Sequence, residues 1–201
     1  MADALNKTRM RDTRILMVAA LLAGVFGQTC FMPGTLAHKG LELAGYALVV
    51  VCAIGRVYAS TFIGGIKNKE LMVTGPYSIC RNPLYLFSLL GAAGIGLVTT
   101  SLIISAVMIF GFLLIYISLI KREEEFLAKK FGKEFQDYSA RVPRLWPSFK
   151  HYHCPAELTF QPAYLSNAIA DAVWWFAALP LFEIADYLKL KGLIVPVINI
   201  F

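Results

Sequence analysis

The run from Leu102 to Ile120 contains no charged residue, and it constrains the fold of this chain more than any other feature. About 20 mostly apolar residues cross the hydrocarbon core of a bilayer as a helix, and this run has that chemistry and nearly that length. The whole chain agrees, because 58% of its 201 residues are hydrophobic and the mean hydropathy is +0.62. These values exclude an ordinary soluble domain and predict an all-α integral membrane protein.

Three further segments predict spans, which gives a membrane core of four helices over residues 1–150, with a fifth helix possible beyond it. The four predicted spans cover about 15–32, 41–60, 84–98 and 102–120. The third is short, so its helix is expected to begin within Arg81-Asn82-Pro83, since proline is tolerated in a first helical turn. The first has a long apolar core and no small-residue cleavage pattern, which favours a retained span over a signal peptide.

The basic residues predict the orientation of the core. The basic residues cluster in three groups, within 7–14, 56–81 and 121–150. With four spans, all three groups fall on one side, which the positive-inside rule makes the cytoplasmic side. The opposite turns carry only Lys39 in 33–40 and nothing basic in 99–101. The net charge of +6 then reflects topology and anionic lipid headgroups. Nucleic acid binding is not predicted, because no recognition motif is present. The expected location is a membrane, the inner one if the source is bacterial, with the active site facing the cytoplasm.

Residues 151–201 form a C-terminal extension whose topology the sequence leaves open. The apolar stretch 173–182 contains two tryptophans, but it is too short to span and Glu183 and Asp186 follow it. Tryptophan beside an apolar run is typical of the headgroup level. An interfacial or re-entrant hairpin is therefore predicted, with a fifth span as the alternative.

The cysteines and histidines predict neither disulfides nor a metal site. Cys30, Cys52, Cys80 and Cys154 show no paired spacing, which favours reduced thiols. The run His151-Tyr152-His153-Cys154 lacks a recognised zinc spacing, and an interfacial loop is the better interpretation. Gly91, Gly94 and Gly96 lie within an apolar helix, where small residues let neighbouring helices approach closely.

The first polar segment, Thr74 to Asn82, is expected to be extended or turning backbone, because Gly75-Pro76 and Pro83 disfavour regular structure. Irregular backbone at a membrane surface must satisfy its polar groups with protein, water or ligand. A polar ligand pocket is one interpretation. The other is an amphipathic loop with Arg81 on phosphate headgroups and two tyrosines in an aromatic belt.

The second polar segment begins at Lys121 and carries Glu123, Glu124 and Glu125 directly after the charge-free span. The helix is expected to continue through them. Glu125 can pair with Lys129 at i, i+4, whereas the other two carboxylates have apolar residues at that spacing. Carboxylates beside anionic lipid cost free energy, which a bound cation or hydroxyl donor would offset.

Together the two segments resemble the isoprenylcysteine carboxyl methyltransferase family and its phospholipid methyltransferase relatives. The resemblance covers about 61–147 and rests on Gly-Pro-Tyr-x3-Arg-Asn-Pro-Leu-Tyr from Gly75, then an apolar hairpin, then Glu-Glu-x2-Leu-x3-Phe-Gly-x2-Phe-x2-Tyr-x3-Val-Pro-Arg from Glu123. It implies a small multi-span helical protein without a Rossmann domain, which binds S-adenosylmethionine at the cytoplasmic face.

The resemblance also implies site residues. The cofactor-binding set is Lys69, Glu70, Leu71, Met72, Tyr77, Asn82, Pro83, Leu84, Tyr85 and Glu123. The catalytic set is Glu123, Glu124 and Arg81, while Arg122, Arg141 and Arg144 are candidates for substrate binding. No metal is assigned.

Two departures leave the methyl acceptor open. The isoprenylcysteine branch has His at the position of Asn82 and Arg at the position of Leu119. The Asn in this chain resembles the phosphatidylethanolamine branch instead. The expected chemistry is in-line methyl transfer to a lipophilic substrate in the bilayer, where a carboxylate is already ionised and an amine needs a base. The alternatives are a phospholipid N-methyltransferase, an NADPH-dependent reductase of the steroid 5α-reductase type, and a non-catalytic lipid-binding protein.

Overall fold

The computed structural model describes residues 15, 18–20, 22–27, 31, 34–65 and 69–193. Within these residues the secondary structure is helical and contains no strand, which confirms an all-α protein without a Rossmann fold. Much of the predicted first span, 15–32, lies outside the described residues; residues 18–20 and 22–26 of it are helical.

Three long helices carry the other predicted spans. Helix α1 is Leu36–Ile63, α3 is Pro83–Val98 and α4 is Leu102–Phe131. Helices α1 and α4 are long and apolar enough to cross a membrane. Helix α3 has 16 residues, about 24 Å at 1.5 Å per residue, which is less than the roughly 30 Å of a hydrocarbon core. It begins at Pro83, where a missing N–H costs little.

Helix α4 continues without a break beyond the apolar run, as the sequence predicts, and carries all three glutamates on its last turns. It ends before Gly132, whose φ of +52° lies in the left-handed region that glycine adopts without strain. Helix α5, Lys133–Arg141, follows directly. The chain therefore turns back immediately after the glutamates.

The segment 74–82 differs from the expectation of wholly extended or turning backbone. Pro76–Ile79 forms one turn of helix, α2, because proline is accepted at a helix start. Gly75 precedes it with φ +59°, and a Cβ there would lie 2.3 Å from the Phe62 ring. Only glycine satisfies both the backbone angle and the space.

The C-terminal extension is helical. A short 3-10 turn, Phe149–His151, leads to α6, Pro162–Ala177, and α7, Leu179–Leu190. The stretch Pro162–Leu190 has 29 residues and is a third segment long and apolar enough to cross a membrane. Its length and composition favour the fifth-span alternative, and its topology stays a prediction.

The described residues form two compact units. Unit 1 comprises those up to Val51, Leu89–Ile115 and those from Trp174 onward; unit 2 comprises Cys52–Ser88 and Tyr116–Val173. A small core in unit 2 consists of Phe135, Tyr138 and Val142, against which Leu71, Leu127, Ala128 and Phe131 pack. This core holds the end of α4 against α5.

Candidate active site

Glu124 is the centre of a polar cluster in unit 2. Its side chain is 10% exposed and accepts hydrogen bonds from both polar segments. Arg81 donates from Nε at 2.9 Å to Oε1 and from Nη2 at 3.3 Å to Oε2. Asn82 donates at 3.2 Å, and Arg144 donates from Nε at 2.9 Å with its Nη2 at 2.7 Å. Two guanidinium groups and one amide thus converge on one carboxylate.

Backbone contacts hold the two segments together around this cluster. The Arg81 amide donates to the Pro143 carbonyl at 2.9 Å, and the Ser148 amide donates to the Ile79 carbonyl at 3.0 Å. Arg81 Nη1 also donates to the carbonyls of Ser139 and Val142, at 2.7 and 3.2 Å. Because α3 begins at Pro83, Arg81 and Asn82 precede the helix and reach these partners.

Glu124 bridges two guanidinium groups and an amide. An ionised carboxylate has about four lone-pair sites, and its two oxygens here already face Arg81, Asn82 and Arg144. Accepting a proton would weaken charge-assisted bonds to both guanidinium groups. The cluster has one negative charge and two positive ones, so its excess is cationic.

Tyr77 and Glu123 form a second part of the site. Tyr77 is 8% exposed, and the structure gives its hydroxyl no hydrogen-bond partner among the described residues. Burial, then the neighbouring Tyr138 and the charge of Glu123, raise the pKa of Tyr77 well above its usual value, so it is a neutral phenol. The Tyr138 hydroxyl donates to the Tyr77 carbonyl at 2.7 Å and fixes the backbone of α2.

A cavity of about 430 Å³ adjoins the Glu124 cluster. Its lining residues are mostly polar or charged: Arg81, Lys121, Glu124, Glu125, Ala128, Phe135, Ser139 and Arg144. Such a volume is within the range of small-molecule sites. Three cationic side chains and two carboxylates give its wall a net charge of +1, which favours an anionic group.

The structure brings some of the predicted residues together and leaves others apart. Arg81, Asn82, Glu124 and Arg144 meet, and the charge of Glu123 contributes to the raised pKa of Tyr77. Pro83 is fully buried at the start of α3, and the Leu84 carbonyl accepts from Ser88 Oγ at 2.8 Å. Among the described residues, no hydrogen bond or ion pair links this cluster to Lys69, Glu70, Leu71, Met72 or Arg122.

The predicted site residues outside the Glu124 cluster are exposed or contact residues close to them in the fold. Lys69 and Glu70 are exposed, and Leu71 packs on the small core of unit 2. Met72 Sδ accepts from Thr74 Oγ1 at 3.3 Å. Arg122 is exposed, and Arg141 Nε donates to the Asp137 carbonyl of its own helix at 3.2 Å.

Sequence reasoning missed two tyrosines. The Tyr116 ring lies 4.9 Å from that of Tyr85, at 55°, and Tyr138 anchors α2. Tyr116 precedes Glu123 by seven residues, two helical turns, so the period of α4 already places them on one face. Tyr138 belongs to the Phe-x2-Tyr pattern, but the pattern does not reveal its partner.

The fold and this cluster define a class: a small helical membrane protein whose polar site joins a pre-helix Arg-Asn pair to a glutamate at the end of a long apolar helix. The chain belongs to the phospholipid methyltransferase family, whose model matches residues 35–134. This confirms the resemblance inferred from the two polar segments, because the family is part of the same superfamily as the isoprenylcysteine carboxyl methyltransferases.

Two relatives match most of the chain. It is 32% identical over 196 residues to the cobalt-zinc-cadmium resistance protein CzcN of Cupriavidus metallidurans, covering 98% of this chain and 90% of that protein. It is 30% identical over 171 residues to the nickel-cobalt-cadmium resistance protein NccN of Alcaligenes xylosoxydans xylosoxydans, covering 85% and 79% respectively. No solved structure matches the chain.

Proposed function

We propose that this protein is an S-adenosylmethionine-dependent methyltransferase that acts on a lipophilic substrate in the membrane. The observation that carries the proposal is the convergence of Arg81, Asn82 and Arg144 on Glu124. It joins the two segments that typify the family and leaves the adjacent Glu123 near Tyr77.

The residues present fit this cofactor. The Tyr77 hydroxyl is buried and lacks a described partner, so a polar group of a ligand would satisfy it. The Glu123 carboxylate suits the ammonium or ribose hydroxyls of the cofactor, and the face of Tyr85 suits a sulfonium cation. S-adenosylmethionine supplies an activated methyl group on sulfur, which needs no metal for transfer.

The chain's own groups then have distinct roles. Glu124 holds Arg81 and Arg144 at the cavity wall, and their positive excess binds an anionic part of the acceptor. Positioning the nucleophile against the methyl carbon and excluding water supply most of the catalysis. A carboxylate acceptor, as in the isoprenylcysteine branch, needs no base.

A phospholipid amine is the second candidate acceptor, and Asn82 together with the matching family model favours it. In that case the cationic cavity holds the lipid phosphate, and Glu123 removes the proton of the ammonium group. The two acceptors differ in product chemistry. With a methyl-labelled cofactor and membranes, label released by mild base indicates an ester, and label that resists base indicates an amine.

Cofactor binding is tested by thermal unfolding of the purified protein. S-adenosylhomocysteine at 100 times its Kd should stabilise the wild type by about 2.7 kcal/mol, and NADPH should not stabilise it. Glu123→Ala should abolish the shift, whereas Glu134→Ala on the exposed face of α5 should retain it. Stabilisation by NADPH alone would indicate a reductase. No shift with either would indicate a non-catalytic lipid-binding protein.

The names of the two relatives suggest a physiological setting, which is resistance to divalent metal cations. Methylation by this chain is proposed to contribute to such resistance. Cells that express the wild type should then tolerate more zinc, cobalt or cadmium than cells with equal amounts of Glu123→Ala. Equal protection by the wild type and the variant would show that metal resistance does not require methyl transfer.

A further inference from the structure

Unit 1 contains a compact group of metal-ligating side chains, His38 and Glu42 on α1 and Asp186 on α7, none of which belongs to the Glu124 site. His38 Nε2 lies 3.2 Å from Glu42 Oε1 and 3.7 Å from Asp186 Oδ2. The ligand atoms of all three residues lie within 4.8 Å of one another. Residues i and i+4 share a helix face, which explains how α1 supplies two of them.

His38 is an unusual residue for a merely structural role. It is 3% exposed, its Nε2 points at the two carboxylates, and its Nδ1 has no hydrogen-bond partner among the described residues. A buried polar atom without a partner costs about 1–3 kcal/mol. The two carboxylate oxygens lie on the Nε2 side of the ring, at 3.2 and 3.7 Å, and the Nδ1 side has no partner among the described residues to offset its burial.

The charges around His38 do not balance. A third carboxylate, Glu183, accepts a hydrogen bond from the Tyr46 hydroxyl. Lys189 pairs with Asp186 at 3.3 Å and also donates to the Gly24 carbonyl at 2.6 Å. Three carboxylates and one ammonium therefore leave an excess of negative charge around the imidazole. These groups lie near the ends of two segments apolar enough to cross a membrane, and like charges that are partly buried close together repel one another.

We propose that His38, Glu42 and Asp186 bind a divalent transition-metal ion of the zinc type. Zinc–nitrogen and zinc–oxygen bonds of about 2.0–2.2 Å place tetrahedral ligand atoms about 3.4 Å apart. The two separations from His38 Nε2 are 3.2 and 3.7 Å, and the two carboxylates lie within 4.8 Å of each other. Imidazole with carboxylates suits zinc and its first-row neighbours. The ion neutralises the charge excess, and Lys189 keeps its bond to the Gly24 carbonyl.

Equilibrium dialysis of the full chain in detergent, stripped with chelator, tests the site with Zn²⁺ as the probe. We expect about one high-affinity Zn²⁺ per chain, and at least about 100-fold weaker binding for His38→Ala, since even residues that only support ligands change metal affinity 10- to 100-fold. The double variant His151→Ala/His153→Ala removes two exposed histidines and should bind like the wild type. If the double variant loses the ion and His38→Ala keeps it, the proposal is wrong.

A second measurement uses only the wild-type protein, so it does not require that a variant folds. Co²⁺ bound by the wild type in place of Zn²⁺ should show the visible absorption of a tetrahedral site with nitrogen and oxygen ligands, displaced by Zn²⁺. A spectrum of hydrated Co²⁺ together with unchanged thermal stability would identify the group as an ion-pair cluster and overturn the proposal. Glu123→Ala should bind Zn²⁺ normally. The metal site and the methyltransferase function can therefore fail their tests independently of each other.

Discussion

Adjacent glutamates on α4 are expected to respond differently to the same substitution. Glu124→Gln removes the charge that pairs with Arg81 and Arg144. Breaking a buried ion pair typically lowers the free energy of unfolding by about 3–5 kcal/mol. Because the Arg144 side chain is 48% exposed, the loss here should lie at or below the lower end of that range. Thermal unfolding should therefore show a clear loss of stability.

Glu123→Gln provides the matched comparison on the neighbouring residue. It should leave the unfolding midpoint within a few degrees of the wild type while methyl transfer falls by roughly 100-fold or more, in the range of a lost catalytic group. Equal destabilisation by both variants would show that Glu123 is structural as well.

The thiols of unit 2 should differ in reactivity. Burial raises the pKa of Cys80 to about 11, whereas Cys154 is exposed. Only the thiolate reacts, so at pH 8 roughly one Cys80 thiol in a thousand is reactive. A maleimide should label Cys154 first, and Cys154→Ser should remove the fast phase. The slow phase should accelerate as the pH rises toward 11; a slow phase independent of pH would argue against this assignment.

The sequence predicted residues that meet in the Glu124 cluster, and their roles stay predictions. Arg81, Asn82 and Glu124 were all expected in the site, but the sequence does not distinguish the buried glutamate from its neighbour. Adjacent helical residues differ by about 100° in direction, so the distinction depends on the rotation of α4 about its axis. Packing of α4 against Phe135 and Tyr138 in α5 sets that rotation, and no local pattern encodes it.

At the scale of elements, the close approach of α1 and α3 within unit 1 depends on two glycines. A Cβ on Gly45 would lie 2.7 Å from the Gly94 carbonyl oxygen, and a Cβ on Gly94 would lie 2.7 Å from that of Gly45. Gly45→Ala should destabilise the protein by about 1–3 kcal/mol through overpacking. The measurement is thermal unfolding in detergent.

Gly40 supplies the control, because a Cβ there meets nothing within 4 Å. Gly40→Ala should be neutral or stabilise α1 by up to about 1 kcal/mol, since alanine has the higher helix propensity. Similar destabilisation by both substitutions would mean that backbone conformation, rather than helix contact, requires Gly45.

Long apolar helices were predictable from sequence, and short irregular elements were not. The charge-free run fixes α4, and the absence of a breaker before Gly132 explains its extension to Phe131. The single turn α2 escaped prediction because Gly75 and Pro76 are typical of turns. Tyr138, a partner 61 residues away in the sequence, donates to the Tyr77 carbonyl, and no local pattern predicts this contact.

At the scale of the whole molecule, the basic residues still predict which side of the membrane each segment faces. Lys39 and Lys150 are both exposed and lie on opposite predicted sides. In a Cys154→Ser background, sealed vesicles with the outer face outward should allow an impermeant maleimide to label Lys39→Cys at once, and Lys150→Cys only after permeabilisation. The parent without either new cysteine gives the background labelling. Labelling of Lys150→Cys in sealed vesicles would place the Glu124 segment outside, where cytoplasmic S-adenosylmethionine does not reach it.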